Sequence, residues 1–268
     1  AYNAPHSPLQ ALQEDLEAEG FDPGKGRMRT DDWGIAKREG DLAYGKAGTG
    51  NDARQTFKAN VRALDRGIGR LMEAIEESGE SENTLVIFSS DNGGIPGHGG
   101  SNASLRGNKF QTYEGGVRVP AAIRWPAKFE SPMVNEDTLA YVDVWPTLAA
   151  LVGKEGNVDG EDMMPRLEAK EASWDRTLYL RGGSVIRGEW KLVADAKDCD
   201  DPLECGKLFN LRDDPYETTD LAKSMPDKVK VLYDLVKEFE GLRGPAFSSK
   251  YETEEWPPKE WELAEEPD

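Results

Sequence analysis

The segment that most constrains the fold is a continuous apolar and β-branched run at residues 84–90, TLVIFSS, which lies between two very different neighbours. Before it, residues 52–78 place apolar side chains at steps of four and three, which predicts a long amphipathic helix. After it, residues 91–116 are rich in glycine and asparagine, which predicts an irregular loop. A helix followed by a wholly apolar strand is typical of α/β folds. We therefore predict a buried strand of a parallel sheet at 84–90.

A change of pattern near residue 153 divides the chain into three predicted regions. Residues 1–153 form an α/β region, which adds a short helix opened by Pro8, a second strand at 117–125 and a helix at 144–152. Residues 154–249 form a small α+β subdomain, a short antiparallel sheet with one packed helix. Its predicted strands lie at 177–180, 185–186, 191–194 and 207–211, and its helix at 226–242. Residues 250–268 form an acidic tail.

Composition narrows the function classes. The 268 residues include 51 acidic and 33 basic side chains, and the formal net charge is −18. That charge argues against a nucleic-acid binder, which needs a basic surface, and against docking on anionic lipid. No apolar run reaches the roughly 20 residues needed to span a bilayer, so we predict no membrane span.

The chain contains two cysteines, Cys199 and Cys205, in the sequence CDDPLEC. The five residues between them are enough to close a disulfide, which would indicate an oxidising compartment. Two free thiols in an acidic surface loop are the alternative. A pair of cysteines alone lacks the ligand count of a zinc site.

Asp91 and Asn92 follow the predicted strand at 84–90, where ligands bind in open α/β sheets. A carboxylate beside a side-chain amide offers two hard oxygen donors, which suit Ca²⁺ or Mg²⁺. The alternative is an Asx turn, in which both side chains merely hydrogen-bond to the backbone of the loop.

Basic residues are concentrated just beyond this point. Residues 94–128 contain five lysines and arginines and a single glutamate, a local balance of +4 in a strongly acidic chain. Such an island predicts an anion site, with Arg106 and Lys109 as candidates, although both residues also fit a solvated loop. The two histidines, His6 between prolines and His98 in a glycine-rich loop, are each compatible with a structural or a chemical role.

Several segments together resemble one known family. They are SSDNGG at 89–94 and SLRGNKFQTYEGGVRVP at 104–120, with NAPHSPLQ at 3–10, YVDVWPTLAALVG at 141–153 and KLFNLRDDPYETTDLA at 207–222. The chain closely resembles the sulfatase family of the alkaline-phosphatase-like superfamily, and is most similar to its arylsulfatase B (N-acetylgalactosamine-4-sulfatase) branch. The resemblance covers nearly the whole chain in the expected order.

This resemblance implies roles for individual residues. Asp91 and Asn92 would bind Ca²⁺, with Mg²⁺ as the alternative, and Lys109 would contact the sulfate and the leaving oxygen. His6 would contact the sulfate ester and help to protonate the leaving alcohol. Arg106 is a further candidate substrate contact. His98 either faces the substrate or simply fills its glycine-rich loop.

The sequence departs from the family pattern in one important respect. The family nucleophile, a formylglycine formed in a C/S-x-P-x-R motif, has no counterpart here. We therefore expect the chain to be the C-terminal part of a longer sulfatase, inactive alone, with the missing N-terminal half as its partner. The implied substrate is a sulfated carbohydrate or an aryl sulfate, and the implied location is periplasmic or secreted.

Two other readings stay open. The chain could be a non-catalytic protein that binds a cation or a sulfated glycan, or part of a phosphoester hydrolase of the same superfamily. Asn102 also begins an N-x-S glycosylation sequon, which we expect to be unoccupied because it lies beside the candidate site.

Overall fold

The computed structural model describes residues 2, 4–6, 9, 11–21, 53–129, 133–154, 156, 158–169, 175–194 and 202–241. The helices are α1 Gln13–Ala18, α2 Ala53–Glu77, α3 Glu114–Val117, α4 Val144–Leu151, α5 Met164–Glu168, α6 Pro202–Cys205 and α7 Pro226–Gly241. The strands are β1 Val86–Ser89, β2 Ala121–Arg124, β3 Thr177–Leu180, β4 Ser184–Arg187, β5 Trp190–Val193 and β6 Lys207–Asn210. The predicted acidic tail at 250–268 lies outside the described residues.

The long helix α2 begins and ends within one residue of its predicted limits, and Gly79 follows it with a φ of +77°. A glycine in that left-handed conformation is a common helix terminator. The face of α2 that packs on α1 is formed by small or polar residues such as Ala59, whereas Val61 and Leu71 of the predicted apolar face are exposed.

The N-terminal helix is shorter than predicted. It begins at Gln13 rather than at Pro8, and Leu9 and Leu12 both precede it. Leu9 and Leu16 are buried while Leu12 is exposed, because helical spacing does not apply to residues outside the helix.

The prediction of a parallel sheet around β1 was wrong for the described residues. β1 pairs with β2 in antiparallel register, with Val86 opposite Arg124 and Ser89 opposite Ala121. Phe88 and Ser89 are exposed, so β1 is not covered on both faces as a strand of a buried parallel sheet would be.

The C-terminal sheet has the predicted antiparallel form. β3, β4, β5 and β6 are neighbours in chain order, and α7 packs across them. Alternating strand side chains point at this helix and form one apolar core: Val185, Leu192 and Leu208 from the sheet, and Val229, Leu232 and Val236 from α7. Side chains alternate along each strand and recur about every 3.6 residues along the helix, so the sheet and the helix each have one apolar face. These two faces pack against each other.

Apolar packing joins α5 to the first sheet, β1 and β2, whereas β3–β6 and α7, with the segments between them, form the C-terminal unit. Met163, Met164 and Leu167, in and beside α5, pack against Ile87 of β1 and Ile123 of β2. Residues after the predicted boundary at 153 therefore help to cover the first sheet, and the division into regions 1–153 and 154–249 stays a prediction.

Cys205 is disulfide-bonded, which agrees with the first of the two alternatives for the cysteines. Cys199 lies outside the described residues. Among the described helices, none is both long enough and apolar enough to cross a membrane.

A buried ion pair fixes the chain between α4 and β3. The guanidinium of Arg176 forms a bidentate pair with the carboxylate of Asp143, and both side chains are almost fully buried. The same carboxylate accepts hydrogen bonds from the backbone N–H groups of Ala140 (2.7 Å) and Glu161 (3.0 Å). Asp143 therefore holds three separate segments together.

We expect Arg176→Met to lower the free energy of unfolding by about 3–5 kcal/mol, because it leaves the Asp143 charge buried without its cation. Arg212→Met is the matched control. Arg212 is exposed and lies 3.8 Å from Glu189, so its loss should cost less than about 1 kcal/mol. Urea denaturation of the two variants measures both values, and equal effects would contradict the structural role of the buried pair.

Candidate functional site

The loop that carries Asp91 and Asn92 is held on both sides by backbone hydrogen bonds. It follows β1 directly, and the Ser90 N–H donates to Pro120 O (3.2 Å) while the Gly93 N–H donates to Gly116 O (2.9 Å). These bonds continue the pairing of β1 beyond the end of the regular strand. Asp91 and Asn92 therefore lie in a short turn of fixed position at the carboxyl end of β1.

The side chains of this turn are not used to stabilise it. Within the described residues, neither the Asp91 carboxylate nor the Asn92 side-chain amide makes a hydrogen bond or an ion pair, whereas the Ser90 hydroxyl donates to Asn92 O (3.1 Å). This geometry contradicts the Asx-turn alternative, which requires a side-chain bond to the backbone.

The free oxygens of Asp91 and Asn92 suit a hard cation as part of a ligand set. Ca²⁺ takes six to eight oxygen ligands, and the part of the chain that the structure describes contains no cluster of three or more acidic, histidine or cysteine side chains fit to hold a metal. These two residues would therefore supply part of the coordination, with the remaining ligands from elsewhere.

Glycines bring this turn against the loop that carries Lys109. A Cβ added to Gly93 would lie 1.8 Å from Gly115 O, and one added to Gly116 would lie 2.1 Å from Gln111 O. A Cβ on Gly115 would lie 2.4 Å from Gly107 O. Real Cβ atoms do not approach backbone oxygens so closely, so the sequence EGG at 114–116 is required by contact between backbones.

The side chain of Asn102 links the turn of Asp91 to the loop of Lys109 by hydrogen bonds. Its Oδ1 accepts a hydrogen bond from the Gly94 N–H (2.8 Å), and its Nδ2 donates to Gly94 O (2.9 Å) and Gly107 O (3.2 Å). The amide nitrogen is thus engaged in packing, which gives a physical reason for the expectation that this sequon is unoccupied.

Lys109 and His6 meet although 103 positions separate them. Nζ of Lys109 lies 3.4 Å from Nε2 of His6, so the two side chains are in direct polar contact. The Lys109 N–H also donates to Gly94 O (3.3 Å), which ties it to the turn of Asp91. The N-terminal segment is held nearby because Tyr2 lies over Gly67 of α2.

Arg106 is directed toward the C-terminal unit. Its Nη1 donates to Glu217 O (2.9 Å), and its guanidinium lies 4.2 Å from the centroid of the Tyr113 ring. Tyr113 contacts Phe209 of β6 edge to face, and its hydroxyl accepts a hydrogen bond from Lys207 (3.1 Å). The side chain of Arg106 thus joins the site loop to the C-terminal sheet, and substrate binding by Arg106 stays a prediction.

His98 lies in a short 3-10 turn, Pro96–His98, that packs against α2, and its side chain is half-buried. Its contact with substrate stays a prediction.

A buried cluster of three charges, missed by the sequence analysis, lies behind the site loop. Lys191 of β5 is fully buried, and its Nζ donates to Oε1 of Glu114 (2.7 Å). Nζ also lies 2.9 Å from Oε1 of Glu217, although that oxygen accepts no well-directed hydrogen bond. The other oxygen of Glu217 accepts from the Glu114 N–H (2.7 Å). The sequence offered one signal of this cluster, a lysine inside the otherwise apolar strand WKLV.

Burial raises the pKa of the Glu217 carboxyl, and the positive charge of Lys191 opposes part of that rise. Two carboxylates around one ammonium leave a net negative charge in the interior. Loss of solvent around the Glu217 carboxylate is the largest cause of the raised pKa, and the nearby Glu114 carboxylate adds to it.

Comparison with known proteins agrees with this arrangement. The sequence profile of the Sulfatase family matches residues 1–154. Arylsulfatase A of Bos taurus is 32% identical over 230 residues, which cover 74% of this chain and 45% of that protein. The crystal structure of Ps i-CgsB superposes with a TM-score of 0.68 at 30% identity, covering 90% of this chain and 48% of that one.

A second solved structure, that of BT4656 in complex with its substrate D-glucosamine-2-N,6-O-disulfate, superposes with a TM-score of 0.55 at 25% identity. It covers 70% of this chain and 40% of that one.

The fold and the paired loops define an α/β protein of alkaline-phosphatase-like type. The chain belongs to the sulfatase family, as its sequence motifs predicted. It spans less than half the length of the relatives named above. The finer likeness to the N-acetylgalactosamine-4-sulfatase branch stays a prediction.

We expect Gly115→Ala to destabilise the protein by more than about 4 kcal/mol, or to prevent folding, because the new methyl group meets two backbone carbonyls. Gly69→Ala is the matched control, since Gly69 lies inside α2 with open space around its Cα. That change should stabilise the protein by about 0.5–1 kcal/mol. Thermal and urea unfolding test the pair, and a well-folded Gly115→Ala variant of wild-type stability would refute the close contact.

The raised pKa of Glu217 gives a second expectation. A carboxyl whose pKa is higher in the folded state binds its proton more tightly there, so its contribution to stability is present at low pH and is lost as pH rises through the folded pKa. Relative to Glu217→Gln, wild type should therefore lose stability as the pH rises from the ordinary carboxyl pKa of 4.5 through the raised pKa of the folded state. Urea titrations at several pH values measure this difference, with the exposed Glu238→Gln as control. Parallel curves for wild type and Glu217→Gln would contradict the assignment.

Proposed function

We propose that this chain forms part of the active site of a sulfuric ester hydrolase that removes sulfate from a carbohydrate. The observation that carries the proposal is the contact between Lys109 and His6, 3.4 Å apart, on a loop bound to the turn of Asp91. Membership of the sulfatase family supports the same reaction class.

Lys109 and His6 would have different roles in the cleavage of a sulfate ester. When the S–O bond breaks, negative charge develops on the leaving oxygen, and the Lys109 ammonium stabilises that charge through a direct hydrogen bond. His6 delivers a proton to the same oxygen, so that the product leaves as a neutral alcohol. Their contact allows Lys109 and His6 to address a single oxygen of the substrate. Arg106 and His98 are proposed as further substrate contacts.

Asp91 and Asn92 are proposed as ligands of Ca²⁺, or of Mg²⁺. Their side-chain oxygens have no other partner within the described residues, which supports this role. The bound cation would supply a positive charge for the sulfate oxygens. Because the backbone N–H of Lys109 donates to Gly94 O, the backbone of Lys109 is held close to these ligands.

The substrate class is proposed from the relatives. BT4656 binds a sulfated glucosamine as its substrate, and that protein shares the fold over 70% of this chain. We propose a sulfated carbohydrate for this chain, with aryl sulfates as accepted small substrates.

The catalytic nucleophile is proposed to lie on polypeptide outside these 268 residues, as a formylglycine. Two observations support this. The chain spans about half of Ps i-CgsB, and large apolar side chains in and beside α4 are uncovered, with Tyr141, Trp145 and Val152 largely exposed. An apolar surface of this kind is typical of an interface. The disulfide at Cys205 supports a secreted or periplasmic location.

The test uses the longer polypeptide that contains both this chain and a C/S-x-P-x-R segment. Lys109→Met in that polypeptide should lower kcat for 4-nitrophenyl sulfate by about 100- to 1000-fold, because a donor to the leaving oxygen is lost. The control is Lys128→Met, which removes an exposed lysine of the same basic segment and should keep the wild-type rate.

Two results would overturn parts of this proposal. An unchanged kcat for Lys109→Met would remove the catalytic role of this lysine. Sulfate release by the 268-residue chain alone would show that the nucleophile does not lie elsewhere.

A further inference from the structure

Phe110 is the most exposed aromatic ring beside the candidate site. Its side chain is 72% exposed, although phenylalanine is normally among the most buried residue types. It directly follows Lys109, whose Nζ lies 5.4 Å from the centroid of the ring. The ring is therefore adjacent to the ammonium that is proposed to contact the sulfate.

The backbone at this position is unfavourable for phenylalanine. Residues 108–111 form a tight turn in which the Gln111 N–H donates to Asn108 O (3.0 Å). Phe110 is the third residue of this turn and has a φ of +79°, the value that a type II turn requires there. Glycine or asparagine normally occupies this position, because a side chain with φ above zero is strained.

The hydrogen bonds of the turn do not explain why residue 110 is a phenylalanine. A second hydrogen bond also closes the turn, because Oε1 of Gln111 accepts from the Asn108 N–H (3.0 Å). These bonds do not involve the Phe110 side chain, and a glycine would make the same turn without strain. Strained residues that survive at the edge of a site are characteristic of function.

The surroundings of the ring select the kind of group it can bind. Lys109 and Gln111 flank it with a cation and an amide, and most of the surface of the apolar ring is open to solvent. A pyranose has the complementary shape, with C–H groups on one face and hydroxyl groups around its rim. The negative face of an aromatic ring attracts such polarised C–H groups. A wholly apolar ligand would need an enclosed pocket instead.

We infer that Phe110 is a stacking platform for a pyranose ring of the sulfated carbohydrate and thereby determines specificity for sugar substrates. This inference rests on the proposed function. With the sulfate at Lys109, a sugar unit that carries it would lie beside Phe110, because the two residues are adjacent and the Lys109 ammonium lies 5.4 Å from the centroid of the ring.

The test compares variants at one position in the longer polypeptide. Phe110→Gly and Phe110→Asn suit the turn but remove the ring, Phe110→Leu keeps apolar bulk without a flat face, and Phe110→Trp restores an aromatic face. The substrates are sulfated oligosaccharides prepared from chondroitin, heparin and carrageenan. Inorganic sulfate, which has no ring, serves as a competitive inhibitor that probes the sulfate position alone.

The measured quantity is the ratio of KM for the best oligosaccharide to Ki for sulfate. Loss of stacking should raise this ratio about 3- to 10-fold in the glycine, asparagine and leucine variants, and the tryptophan variant should restore it. The melting temperature of Phe110→Gly should not fall below that of wild type, because the turn is relieved of strain.

The outcomes separate the two proposals. An unchanged ratio in Phe110→Gly, no rescue by tryptophan, or a lowered melting temperature of Phe110→Gly would overturn the stacking role. Wild-type hydrolysis of 4-nitrophenyl sulfate without hydrolysis of any oligosaccharide would overturn it too, while leaving the sulfatase reaction intact. Failure of wild type on every sulfate ester would instead refute the proposed function.

Discussion

The buried ammonium of Lys191 is the interaction on which the rest of the site depends. It lies between Glu114, at the first residue of α3, and Glu217, in the C-terminal unit, and all three side chains are removed from solvent. Removing Lys191 would leave two buried carboxylates without their shared cation, and such a loss is far more costly than the loss of a surface pair. The C-terminal sheet therefore acts as the rigid support of α3, and through α3 it supports the loop of Lys109.

Backbone contacts, rather than side chains, connect α3 to the loop of Lys109 and to the turn of Asp91. Gly115 and Gly116 follow Glu114 directly, and their backbones touch the loop of Lys109 on one side and the turn of Asp91 on the other. Because no side chains intervene, the two loops cannot slide apart without breaking backbone hydrogen bonds. The distance between a cation ligand and the lysine is thereby set by covalent geometry and a few N–H···O bonds, which is the kind of pre-organisation that electrostatic catalysis requires.

The sequence predicted what depends on local patterns. Helices α2 and α7 and the four C-terminal strands were found within a few residues of their limits, because apolar periodicity is a property of neighbouring residues. It did not predict the antiparallel partner of β1, since pairing is decided by residues more than thirty positions away. The bond from Lys191 to Glu114 spans 77 positions and carries no periodic signal. The association of Lys109 with His6 was expected only through the family resemblance.

In the basic segment, the position of each charged side chain matters more than the number of charges. A balance of +4 at residues 94–128 suggested an anion site. Most of these basic side chains, however, make structural contacts within the described residues. Arg106 bonds to a carbonyl of the C-terminal unit, Arg124 holds the turn before β1, and Arg118 lies 3.9 Å from the carboxylate of Glu114. Lys109 differs because its ammonium meets an exposed imidazole instead of the protein interior. The attraction for an anion at this site is therefore better explained by one lysine held in place by backbone contacts than by the net charge of the segment.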